Sequence, residues 1–78
     1  MRSDREYREE LLSLRLALAQ AAVKWAEAEA RWFENNHSDT VVYLAEAREV
    51  SELKSAAERA HRKYVDEWRD AKRAGVVT

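Results

Sequence analysis

Seventy-eight residues bound this chain to a single domain, and although 46% of them are hydrophobic, 14 of those are alanine, so the core that one copy can build is thin. The absence of cysteine excludes disulfides and thiolate metal sites, and no apolar run approaches the ~18 residues of a membrane span. The net charge of −1 conceals a dipole: residues 1–24 sum to +1 (five basic, four acidic), residues 25–52 to −5 (two and seven), and residues 53–78 to +3 (seven and four).

Ala, Leu, Glu, Arg and Lys dominate, Gly occurs once and Pro never, which is the composition of long helices with little irregular backbone. Arg outnumbers Lys ten to four and Ile is absent, a bias of GC-rich genomes that suits a bacterial or phage accessory protein. The chain opens directly into charged residues with no secretory pattern, so a soluble, cytoplasmic protein is expected.

In chain order, Ser3-Asp4-Arg5-Glu6 matches the Ser-x-x-Glu capping box and predicts a first helix over about 4–35. Two apolar stripes run along it. The first is Tyr7, Leu11, Leu14, Leu18, Ala21, Trp25, Ala28 and Trp32. The second is Leu12, Leu16, Ala19, Val23, Ala26, Ala30 and Phe33. At 100° per residue their centres lie roughly 150° apart, so this helix must be covered on two sides.

Asn35-Asn36-His37-Ser38-Asp39-Thr40 is the only internal loop signal and places the turn at about 36–39. Asn there suits a left-handed C-terminal cap, and Ser38 or Asp39 an N-cap. Asn36-His37-Ser38 formally matches a glycosylation acceptor, a chance match in a protein expected to be cytoplasmic. The second helix is expected over about 40–74, with Val41-Val42-Tyr43 drawn into it despite strand-like propensity. Gly75 stands where a Schellman glycine belongs, with Val76 placed to reach Ala71. This helix carries one stripe: Tyr43, Ala47, Val50, Leu53, Ala57, Ala60, Tyr64, Trp68 and Ala71, flanked by His61 and Val65. Pairs such as Glu27–Arg31, Lys54–Glu58 and Glu58–Arg62 are spaced to lace the exposed faces.

The expected fold is therefore all-α, a long antiparallel two-helix hairpin. Facing residues have numbers summing to about 75, which sets Trp32 against Tyr43, Leu18 against Ala57 and Leu14 against His61. The second stripe is left bare, and its simplest cover is the same stripe of a second copy, giving a homodimeric four-helix bundle. Leu12, Leu16, Ala19, Val23, Ala26, Ala30 and Phe33 are the expected dimer interface.

Two further surfaces compete for a role. At the loop end, carboxylates surround large aromatics, and adjacent Trp32 and Phe33 diverge by about 100° and cannot enter one seam. Trp32, Phe33, Glu34, Asp39 and Glu46 are the candidate residues for a protein partner. At the open end, Arg5, Arg8, Arg69, Lys72 and Arg73 are candidate nucleic-acid contacts, but Asp4, Glu6, Glu9, Glu10, Asp66, Glu67 and Asp70 share those turns, and a pI near 6.1 is far from a generic nucleic-acid binder. His61, lacking a second His or Cys, reads as a partly buried, hydrogen-bonded side chain rather than a ligand. No Gly-rich loop, no nucleophile–His set and no carboxylate pair on an apolar face is present, so no catalytic residue, cofactor or metal site is expected. The reading is a non-enzymatic protein–protein interaction module, a small adaptor or inhibitor. A nucleic-acid-associated regulator and a subunit of a larger assembly are the alternatives.

Overall fold

The computed structural model describes residues 2–35 and 39–77, which form two α-helices: α1 (Asp4–Glu34) and α2 (Thr40–Arg73). Contacts near both ends establish the antiparallel hairpin. Trp32 lies against Tyr43 with ring centroids 5.5 Å apart, and Arg2 pairs with Glu67 at the other end. Residues 36–38, including His37 and the formal glycosylation match, lie outside the described residues. Neither helix is long and apolar enough to cross a membrane.

Local chemistry sets the helix ends. The Ser3 hydroxyl accepts from the Glu6 amide at 3.2 Å while the Glu6 carboxylate accepts from the Ser3 amide at 3.5 Å, completing the capping box. Asp39 caps α2, its carboxylate accepting from the Val41 and Val42 amides at 2.9 and 3.4 Å. α2 ends in the Schellman pattern: the Val76 amide donates to the Ala71 carbonyl, the Gly75 amide donates to the Lys72 carbonyl, and Gly75 takes φ +79°, a conformation that favours glycine. The left-handed position expected after the C-cap falls on Asn36, outside the described residues; Asn35 is the C-cap itself. It is extended (φ −75°, ψ 139°), and its side-chain amide donates to the Glu46 carboxylate at 3.1 Å across the hairpin.

The first stripe of α1 does face α2: Tyr7, Leu11, Leu14, Leu18, Ala21, Trp25 and Trp32 are half-buried and Ala28 is buried. On α2, Ala57 and Ala71 are buried, Val50, Leu53, Ala60, Tyr64 and Val65 are half-buried, and the two outermost aromatics, Tyr43 and Trp68, are just exposed. The core thus contains three buried alanines and, among the described residues, no fully buried large side chain. The surface pairs also differ from expectation. Arg31 reaches across to Glu49 at 3.6 Å instead of pairing with Glu27, and Lys54, Glu58 and Arg62 form no ion pair within 4 Å among the described residues. Cross-hairpin reach wins at Arg31 because the carboxylates of α2 lie beside its guanidinium.

The molecule is a rod of 56 × 17 × 14 Å with a radius of gyration of 17.3 Å, whereas a compact domain of this length has about 11.5 Å. Its accessible area is 6171 Å², against about 4,900 Å² for an ordinary folded monomer of this mass.

With so small a core, caps carry an unusual share of the stability. Asp39→Ala leaves the two first-turn amides of α2 without their carboxylate and is expected to cost about 1 kcal/mol, lowering the thermal midpoint by roughly 4–8 °C. Asp39→Asn, which keeps the acceptor oxygen, is expected to lose less than half of that. Thermal unfolding followed by circular dichroism at one fixed protein concentration checks both.

Candidate protein-interaction surface

The second stripe of α1 stands open on the hairpin. Leu12 is 61% exposed, Leu16 55%, Val23 54% and Phe33 70%, with Ala26 and Ala30 also exposed and only Ala19 half-buried. The cause is geometric: α2 occupies one side of α1, and residues some 150° around the helix are out of its reach. Beside this stripe, between the helices, runs an open groove of about 540 Å³. Leu18, Ala22, Trp25, Ala57 and Val65 supply its apolar wall, and Glu58, His61 and Arg62 are among its polar lining residues. The indole N–H of Trp25 is buried there and meets no hydrogen-bond acceptor among the described residues.

His61 corrects the sequence expectation. It is exposed at the groove rather than partly buried against Leu14, because α2 turns its alanines, not its histidine, toward the centre line of α1.

The loop end brings the predicted aromatics together but divides their roles. Trp32 is half-buried between Tyr43 (5.5 Å) and Phe33 (5.2 Å), while Phe33 projects outward, as their 100° divergence requires. Two of the three carboxylates expected to meet a partner are engaged within the hairpin: Asp39 caps α2 and Glu46 accepts from Asn35. Glu34 is exposed. Sequence reasoning missed the exposed Val41 (75%), Val42 and Leu44 (60%) of the first turns of α2. The signal was available, since four consecutive apolar residues on a helix cannot all face one neighbour.

At the open end the basic side chains are partly answered from within. Arg2 pairs with Glu67 and lies 4.2 Å over the Tyr7 ring, Arg5 pairs with Glu9 at 2.8 Å, and Arg69 approaches Asp66 at 3.9 Å. Contact with the Glu67 carboxylate raises the Arg2 guanidinium pKa above its ordinary value. Arg8, Lys72 and Arg73 are exposed.

No protein-family profile matches the chain, and no curated protein or solved structure is significantly similar to it.

The two loop-end aromatics are separable by mutation. At concentrations low enough to keep the chain monomeric, Trp32→Ala removes a half-buried indole and is expected to cost about 2 kcal/mol, whereas Phe33→Ala is expected to cost less than about 0.5 kcal/mol. Urea unfolding of both variants, followed by far-ultraviolet circular dichroism, measures the difference. Equal losses would contradict the assignment of Phe33 to the outward face.

Proposed function

We propose that this chain is a non-enzymatic protein–protein interaction module, a small adaptor or inhibitor, that works as a helical-hairpin homodimer. The observation that carries the reading is the open stripe. Leu12, Leu16, Val23 and Phe33 are more than half exposed along one helix face in a domain with no large side chain fully buried among the described residues. Single exposed apolar residues are ordinary, but a continuous row of them marks an interaction surface. Closing the remaining exposure of each large residue contributes about 1 kcal/mol, and the gain falls on a fold whose own core is only alanine deep. The accessible area exceeds that of an ordinary monomer by about 1,300 Å², more than the ~800 Å² each partner buries in a standard interface. The acidic, apolar loop end beyond that stripe, with Glu34, Val41 and Leu44, is the second part of the surface offered to other proteins.

Val23 lies at the middle of the stripe, so Val23→Glu sets a carboxylate where association would strip its water. Sedimentation equilibrium is expected to find the unaltered chain dimeric at micromolar concentration and the variant shifted to monomer. A folded wild-type monomer at ~100 µM would reject the homodimer.

The nucleic-acid alternative predicts tight binding at the open end. The partial neutralisation of Arg2, Arg5 and Arg69 argues against it. Binding to DNA or RNA is expected to be weaker than micromolar at ~150 mM salt and to vanish as salt rises, measured by fluorescence anisotropy. Sub-micromolar binding under those conditions would replace the present reading.

A further inference from the structure

We propose that the second copy docks antiparallel: α1 of one hairpin runs against α1 of the other along the stripe Leu12–Phe33, so that the acidic loop half of each lies beside the basic open half of its mate. This inference rests on the homodimer reading above and specifies its geometry.

The stripe is built to be read in reverse. Its steps alternate four and three, and reversing it about Val23 sets Leu12 opposite Phe33, Leu16 opposite Ala30, Ala19 opposite Ala26, and Val23 opposite itself on the two-fold axis. The antiparallel order thus pairs a leucine with an alanine in two layers and spreads the bulk symmetrically. The parallel order sets Phe33 on Phe33 directly beside Ala30 on Ala30, a wide layer next to a narrow one, which leaves a gap that close packing disfavours.

Charge points the same way. Residues 25–52, the loop half, sum to −5, and the two segments of the open half, at +1 and +3, sum to +4. Parallel docking sets −5 beside −5. Antiparallel docking sets −5 beside +4 twice. Salt screens beyond about 8 Å, so the groups that count are those flanking the seam. Glu27, Glu29 and Glu34 flank its loop half, and Arg8 and Arg15, with the paired Arg5 and Glu9, flank its open half, a balance of −3 against +2. Reversal places Arg15 of one copy one layer from Glu29 of the other, whereas the parallel order crowds the glutamates of both copies around Phe33.

The chain has no cysteine, so engineered thiols report without background. Leu12→Cys, Phe33→Cys and Val23→Cys would each be oxidised at a concentration where the chain is dimeric, and Leu12→Cys would also be oxidised after mixing with Phe33→Cys. A disulfide needs its Cα atoms within about 7 Å, while the two copies of residue 12 in the antiparallel dimer are about 30 Å apart. The mixture is expected to give the mixed Leu12→Cys/Phe33→Cys disulfide, identified by mass, at least about tenfold above self-linkage of either variant alone. Val23→Cys is expected to link to itself. Self-linkage of Leu12→Cys at a rate matching the mixture would establish parallel docking and overturn the orientation while leaving the dimer intact. A dimer by sedimentation that forms no disulfide in any reaction would remove the contact from this stripe and overturn the proposal. A monomer by sedimentation would instead overturn the homodimer itself.

Discussion

Two helices can share only one seam, and every other property of this molecule follows from that constraint. A side chain on the seam is covered from the front by the facing helix but from neither side by a third element. Small residues disappear under such cover and large ones do not. Ala28, Ala57 and Ala71 are buried, whereas Leu11, Leu14, Leu18 and Trp25 remain half-open at the same interface. A third helix, or a second hairpin, is the physical means of closing them.

Because the seam is shallow, its register is held with help from both ends. At the loop, the Trp32–Tyr43 ring contact, the Asn35–Glu46 hydrogen bonds and the Arg31–Glu49 ion pair join α1 to α2. At the open end the Arg2–Glu67 pair joins them, with Arg2 also held over the Tyr7 ring. Exposed ion pairs of this kind contribute little stability one by one. Their positions matter more than their strength, since each can form only when the helices are correctly aligned. They also engage charge within the hairpin. Asp39, Glu46, Arg2 and Arg5 each have an intramolecular partner, which fixes where these groups sit while leaving the net charge of each end unchanged. What remains prominent on the outside is apolar: one stripe along α1 and the cluster of Val41, Val42 and Leu44 at the start of α2.

Features governed by neighbours along the chain are legible in the sequence itself. The capping box at Ser3–Glu6, an N-cap at Ser38 or Asp39, the Gly75 stop and the division of α1 into two stripes depend on residues a few positions apart, where helical geometry is fixed. The choice of which stripe meets α2 is legible too. The stripe holding Tyr7, Trp25 and Trp32 is the bulkier, and it matches the single stripe of α2 across a short turn.

Features governed by distance across the hairpin are not legible in this way. Whether Arg31 turns to Glu27 on its own helix or to Glu49 on the other depends on the separation and rotation of two axes, and sequence spacing carries neither. The same holds for His61, which lies within one helical step of the seam. A small rotation of α2 decides between burial against Leu14 and exposure at the groove, and the tertiary structure places it at the groove. The hydrogen bond from Asn35, the C-cap of α1, to Glu46 across the hairpin is another pairing that sequence spacing does not carry. Sequence alone thus determined the elements, their limits and the stripe left without cover, because local periodicity dictates all three. Only the folded hairpin decided the side-chain pairings, the groove and the exposure of its flanking residues, because those depend on the distance and rotation between helices that the chain joins only through a short turn.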